Sequence, residues 1–316
     1  MRIVYMGSPD FAVKPLEALI AEGHEIFAVV TQPDRPKGRG GKLQFTAVKE
    51  SALRHHLPVM QPVKVNEPVV VETIAALKPD LLVVVAFGQL LKKPLLTLAP
   101  FGAINIHGSL LPYYRGAAPI HWAIMNGEKE TGVTIMYMDE GMDTGNMISK
   151  SECEICSSDT YETLHDKLQD IGADAICDTL NKIIDTENVL ASTKQPEEFT
   201  LAPMLNKENT HIDFNQNAHD IVNLVRGINP IPCRWCQNAN DETAIYKIYK
   251  ASVYKENFPC TNIGEVVHID AKQNMLVIRC KNGFVNIEEL KPAGSRKMAS
   301  SEFIRGGKIK LGDVLI

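Results

Sequence analysis

The run Asp80-Leu-Leu-Val-Val-Val-Ala-Phe87 is apolar almost without interruption. It narrows the fold more than any other feature, because such a strand stays in solution only when both its faces are covered. That is the condition of a central parallel strand with helices on either side. Shorter apolar runs at residues 2–6, 25–31, 57–60 and 103–107 alternate with helical patterns, which is α/β wiring. Ser8 as N-cap and Pro9 at the first helical position predict a helix with Phe11, Leu16, Leu19 and Ile20 on its apolar face and Gly23 at its end. Further helices are expected over about residues 47–55 and 67–77, each followed by a proline. The expectation is a doubly wound, mostly parallel, Rossmann-like sheet.

Strands at residues 131–138 and 146–149 and a long helix over 159–184 extend this domain. A chain of 316 residues exceeds the usual size of one core, so a second domain is expected. The polar stretch beyond residue 185, with Pro196 and few apolar anchors, reads as a connector. The division is therefore residues 1–188, a linker at 189–205 and a C-terminal domain at 206–316. That last part carries one helical pattern near 218–226. Short strands follow at 244–249, 264–269, 275–279, 284–290 and 308–311, the pattern of a small OB-like β-barrel.

The formal net charge of −5 excludes a general nucleic-acid coat, which needs a surplus of Lys and Arg. No stretch approaches 18 uninterrupted apolar residues and no signal pattern opens the chain, so a cytoplasmic protein without membrane contact is expected. Seven cysteines, an odd number thinly spread, favour reduced thiols over a disulfide framework. The pairs Cys153 with Cys156 and Cys233 with Cys236 have C-x-x-C spacing but lie too far apart for a compact zinc ribbon. Small half-buried side chains are the favoured reading.

In Gly102-Ala-Ile-Asn-Ile-His-Gly108 an amide and an imidazole stand two residues apart at the end of a buried strand. Period two places Asn105 and His107 on one face, with Ile104 and Ile106 on the other. The carboxyl edge of a parallel sheet is where open α/β folds hold their ligands. Asp139-Glu-Gly-Met-Asp-Thr-Gly145 is an acidic, glycine-containing turn. It is either a solvated hairpin or a source of carboxylates aimed at that edge, in which case Asp143 is a partner for His107. Neither a dinucleotide fingerprint nor a P-loop is present: Gly7 does not complete G-x-G-x-x-G, and Gly41-Lys42 is followed by Leu43.

These segments, together with Met6-Gly-Ser-Pro-Asp-Phe-Ala12, Thr31-Gln-Pro-Asp-Arg-Pro-Lys-Gly-Arg-Gly40, Ser109-Leu-Leu-Pro112, Arg115-Gly-Ala-Ala-Pro-Ile120, Glu130-Thr-Gly-Val-Thr-Ile135 and Leu205-Asn-Lys-Glu-Asn-Thr210, resemble the methionyl-tRNA formyltransferase family within the folate-dependent formyltransferases. The resemblance runs nearly end to end. It implies transfer of a formyl group from 10-formyltetrahydrofolate to the α-amino group of methionine on initiator tRNA, by a monomer that needs no metal. It assigns catalysis to Asn105, His107 and Asp143, and the folate to Ser109, Leu110, Leu111 and Pro112. The same three catalytic residues suit any amine acceptor, including a glycinamide nucleotide or an amino sugar.

Arg35-Pro-Lys-Gly-Arg-Gly-Gly-Lys42 carries four positive charges and no acid. Alone it reads as a solvated basic loop. The resemblance makes it an RNA-contacting insertion, with Arg35, Lys37, Arg39 and Lys42 meeting the tRNA. Residues 281–316 hold seven Lys or Arg against four Asp or Glu. Lys291, Arg296, Lys297 and Arg305 there offer either a weak hold on tRNA or a solvated face.

Overall fold

A computed structural model describes residues 1–37, 42–259 and 262–316. The apolar runs become the strands of a seven-stranded sheet: β1 (Arg2–Gly7), β2 (Glu25–Val30), β3 (Val59–Met60), β4 (Leu81–Val85), β5 (Ala103–His107), β6 (Glu130–Tyr137) and β7 (Met147–Glu154). Their order is β3-β2-β1-β4-β5-β6-β7. Strands β1 to β5 pair in parallel, and β6 runs antiparallel to both β5 and β7. The chain winds outward from β1 to β3 and returns to β4 on the other side of β1, which makes the sheet doubly wound.

Every residue of β4 is buried, as its unbroken apolar run requires. On one face Val4, Met6, Ala28, Val30, Leu82, Val84 and Ala103 pack with Ile74, Leu91 and Leu95. Each of the Val, Leu, Ile and Met side chains among these, once fully buried, contributes about 1.5–3 kcal/mol relative to exposure. The other face meets the helix Tyr161–Thr186. A Cβ added to Gly172 of that helix would lie 3.2 Å from Ile106 Cγ2, so helix and strand are in tight contact there. Ile106 therefore points toward the helix, and alternation along β5 turns Asn105 and His107 to the opposite face.

One expected cap is corrected. The chain after β1 makes a 3-10 turn at Asp10–Ala12 before the helix Val13–Ala21, and Ser8 caps neither. Its hydroxyl accepts instead from the Gln32 amide at 3.1 Å. Gly23 does end the helical segment in the left-handed region, at φ 80°. The helix Ala47–Arg54 has Thr46 as a side-chain cap on the Lys49 amide, and Pro68 opens the helix Pro68–Ala76.

The chain divides into two compact units. The first comprises Met1–Pro119, Glu130–Glu154 and His165–Ala202; the second comprises Ile120–Lys129, Ile155–Leu164 and Pro203–Ile316. In the second unit β8 (Arg234–Asn238), β9 (Asp241–Tyr254), β10 (Val266–Asp270), β11 (Met275–Arg279) and β12 (Phe284–Pro292) form an antiparallel sheet in the order β8-β9-β12-β11-β10. The last residues join its two edges. Gln237 on β8 exchanges backbone hydrogen bonds with Ile316, while the Val266 amide on β10 donates to Asp313 and the Leu315 amide to Gly264. A barrel results, since closure leaves no free edge at that seam. The strand expected at 308–311 is not formed; the closing residues are 313–316.

Candidate active site

Asn105 and His107 leave the carboxyl half of β5, 8% and 5% exposed. The cross-strand register sets Asn105 opposite Met136 and His107 opposite Thr134. Nε2 of His107 lies 3.0 Å from the Tyr114 carbonyl oxygen. A carbonyl only accepts, so this contact puts the ring hydrogen on Nε2. Nδ1 faces Asp143 Oδ1 at 3.7 Å.

The acidic turn brings its carboxylate inward. Asp139 Oδ1 accepts from the Gly141 amide at 3.0 Å and from Thr144 Oγ1 at 2.6 Å, which folds the turn on itself. Asp143 adopts φ 56°, a left-handed conformation that Asp tolerates better than most residues. Its Oδ2 accepts from the Gly116 amide at 2.8 Å. Gly116 is itself obligatory: φ is 121°, and a Cβ there would lie 2.8 Å from the Ala202 carbonyl oxygen. The solvated-hairpin alternative does not hold for Asp143.

A cleft opens beside Asn105 and Asp143, lined also by Leu90, Met136, Met138, Asp139, Gly141 and Met142. Leu90 and Met142 are exposed on its rim. The run Ser109, Leu110, Leu111 and Pro112 follows directly from β5, but its side chains turn inward. Ser109 and Leu111 are fully buried, Pro112 is buried and Leu110 half-buried. Ser109 Oγ donates to the Tyr113 carbonyl, and Thr134 Oγ1 ties the run down by donating to Ser109 O and accepting from the Leu111 amide.

Two buried residues that pattern reading did not single out complete the surroundings. Gln195 comes from the stretch expected as a linker. Much of that stretch is hydrogen-bonded along the first unit, through Leu190, Thr193, Gln195 and Thr200. Arg115 opens the motif Arg115-Gly-Ala-Ala-Pro-Ile120, yet nothing local in the sequence marks it as buried. Gln195 shows no sequence signal at all, being one amide in a polar run.

The basic segment forms a short hairpin, with Arg35–Lys37 paired antiparallel to Lys42–Gln44. Arg35 is exposed, as are Leu43 and Phe45; Arg39 lies outside the described residues. The hairpin's base is fastened by Lys49, whose ammonium pairs with Asp34 at 2.5 Å and stands 4.0 Å above the Phe45 ring. In the second unit Arg296 and Lys297 pair with Glu302 and Glu289, which offsets much of the charge that a phosphate would otherwise feel.

An amide, an imidazole and a carboxylate gathered at a strand end of an open α/β sheet are groups that can manage charge on a reacting carbonyl, the chemistry of a group-transfer site. The family model described as formyl transferase matches residues 1–180, and that described as formyl transferase, C-terminal domain, matches residues 204–308. The chain belongs to the formyl transferase family. It is 45% identical over 315 residues to the methionyl-tRNA formyltransferase of Clostridioides difficile, covering 100% of both chains. It is 46% identical to the protein of the same name in Acetivibrio thermocellus, covering 100% of this chain and 99% of that one. Among solved structures, phosphoribosylglycinamide formyltransferase from Bacillus halodurans superposes with a TM-score of 0.51 at 29% identity, over 60% of this chain and 97% of that one. HypX from Aquifex aeolicus, solved with tetrahydrofolic acid, gives a TM-score of 0.65 at 17% identity over 96% of this chain and 47% of that one, a likeness of fold.

Proposed function

We propose that this chain transfers the formyl group of 10-formyltetrahydrofolate to the α-amino group of methionyl-initiator tRNA, giving N-formylmethionyl-tRNA for translation initiation. The observation that carries the reading is the convergence of Asn105, His107 and Asp143 at the end of β5, in a chain that matches methionyl-tRNA formyltransferases from end to end. The described helices include none long and apolar enough to cross a membrane, and the reaction belongs in the cytoplasm with its substrates. All three catalytic residues come from one chain, so a single copy suffices.

An α-amino group has a pKa of about 7.7–8.0, so near neutrality a useful fraction is free to attack without an acyl-enzyme. As the amine nitrogen bonds to the formyl carbon, the carbonyl electrons move onto oxygen. The Asn105 amide donates to that oxyanion, a role worth about 2.7–4 kcal/mol in other acyl-transfer sites. The proton released by the new ammonium passes to the pair formed by His107 and the Asp143 carboxylate. It is returned to N10 of the folate as the carbon–N10 bond breaks, and tetrahydrofolate leaves. Acid–base help of this kind is worth about 10²–10⁴-fold. The cleft between Leu90, Met138 and Met142 receives the folate ring, and the tightly held run Ser109–Leu110–Leu111–Pro112 forms the wall behind it.

For the tRNA, Arg35, Lys37, Arg39 and Lys42 of the basic segment engage the acceptor end. The C-terminal domain at 206–316 assists, joined through residues 189–205 to the catalytic domain at 1–188. The test is transfer of labelled formyl from 10-formyltetrahydrofolate to methionine charged on initiator or elongator tRNA. Selective labelling of the initiator is expected, and no labelling of either would end the proposal. Asn105→Ala, His107→Ala and Asp143→Ala should each lose most of the rate while tRNA still binds; three unchanged rates would remove the site.

A further inference from the structure

Asp143 is held from two directions by one side chain that touches neither the cleft nor any reacting group. Gln195 is 6% exposed. Its Nε2 donates to the Asp143 carbonyl and to the Gly145 carbonyl, each at 2.8 Å. Its Oε1 accepts from Arg115 Nε at 2.9 Å and from Nη2 at 2.6 Å. Arg115 is also buried, with its guanidinium 4.5 Å over the Phe199 ring. The residue after Arg115 is Gly116, whose amide donates to the Asp143 carboxylate. The contacts close a ring: Gln195 to Arg115, along the chain to Gly116, across to the Asp143 side chain, and from the Asp143 backbone back to Gln195.

We infer that Gln195 is a positioning residue for the transfer reaction, fixing both the left-handed backbone of Asp143 and the amide that orients its carboxylate. The inference rests on the proposed role of Asp143. Two features make Gln195 more than a buried polar residue satisfying itself. Asp143 stands at φ 56°, a left-handed conformation that even for Asp is less favoured than the extended or right-handed regions and is steadied by hydrogen bonds to its backbone. The turn also has no slack at Gly145, where a Cβ would come within 1.8 Å of the Tyr137 carbonyl oxygen. Releasing the two carbonyls from Gln195 lets the turn relax about Asp143. The carboxylate then moves relative to His107 Nδ1, from which it stands only 3.7 Å away.

The chemistry of the amide separates its two ends. Glutamate at 195 still accepts from Arg115, but it has no hydrogens for the Asp143 and Gly145 carbonyls and sets a negative charge against them. Methionine fills similar space and makes none of the four bonds. Both variants are expected to lower kcat by about 10- to 100-fold, the scale of a displacement of about 1 Å at a reacting group. KM for folate and for tRNA should stay within about twofold, because the losses fall on charge handling and not on ground-state binding.

The deciding experiment is a single-turnover cycle on the full chain, at a temperature well below the melting point of every variant, with Gln195→Met, Asp143→Ala and the double variant. If Gln195 acts through Asp143, Gln195→Met slows the parent but adds nothing in the Asp143→Ala background. Full kcat in Gln195→Met, or an undiminished further loss in that background, overturns the inference. Should Gln195→Met not fold, Gln195→Glu decides alone, and wild-type kcat in it has the same consequence. Wild-type activity in Asp143→Ala defeats the reading of the site itself, whereas an impaired Asp143→Ala beside a fully active Gln195→Met defeats only the role given to Gln195.

Discussion

Gly116 links the main-chain path to the chemistry at the scale of a single residue. Its φ of 121° belongs to glycine, and the Ala202 carbonyl leaves no room for a methyl group. The amide of this same residue donates to Asp143. Gly116→Ala is therefore expected to lower both the melting temperature and kcat, with kcat falling at least about 10-fold because the donor moves away from the carboxylate. A variant that melts early yet turns over at the parent rate at low temperature would disconnect Gly116 from the site. The sequence made Asn105 and His107 legible through simple alternation along one strand, where neighbouring isoleucines mark the buried face. Asp143 is legible only in company with that pair, since an acidic turn says nothing of where it points. Gln195 was not legible. Its role depends on a contact 52 residues away in sequence, and nothing in its own neighbourhood differs from a solvated connector.

Among the elements, the barrel's first strand shows why sequence patterns lose sight of some structure. The inward residues of β8 are Arg234, Cys236 and Asn238, so the alternation exists but is not written in hydrophobic residues. Arg234 is buried without a carboxylate partner among the described residues. It donates to the carbonyls of Leu224, Asn209 and His211, and burial pulls its guanidinium down to about 10. Those three carbonyls are what make the buried charge tolerable. Arg234→Met removes every donor at once and is expected to destabilise the protein by about 3 kcal/mol or more, measured as the shift in the urea midpoint at constant slope. The closing residues were hidden for a different reason: four residues that pair with two separate edges carry no periodic signal of their own. Leu315 is 2% exposed within the barrel core. Leu315→Ala should cost about 2–5 kcal/mol, and a loss below about 0.5 kcal/mol would show that the seam contributes little to holding the barrel.

Across the whole molecule, a net charge of −5 coexists with a polyanionic substrate because the charges are segregated. Four basic residues without an acid lie between residues 35 and 42, while several carboxylates elsewhere have cationic or hydrogen-bonding partners. Asp80 is held below its ordinary range by hydrogen bonds from Arg2, and Asp34 by hydrogen bonds from Lys49 and Gln61. Asp241 is lowered by the Thr243 hydroxyl and amide, and Asp270 by the amides of Lys272 and Gln273. Glu17 and Glu288 are also lowered: burial opposes this in each, but hydrogen bonds from Ser51 and Arg54, and from Ser252 and Lys250, outweigh it. In all six the folded state binds protons more weakly than the unfolded chain, whose reference values are 3.8 for Asp and 4.5 for Glu. The sign follows from linkage: the stabilisation is fully present above those values and is lost as pH falls through the lower folded ones. Stability should therefore be flat on this account between about pH 6 and pH 5 and decline progressively below about pH 4.5. Urea midpoints taken from pH 6 down to pH 3 test this, and Asp80→Asn, which removes one of the six, should flatten the decline. A midpoint that stays constant to pH 3, or rises, would mean that these pairings do not favour the folded state.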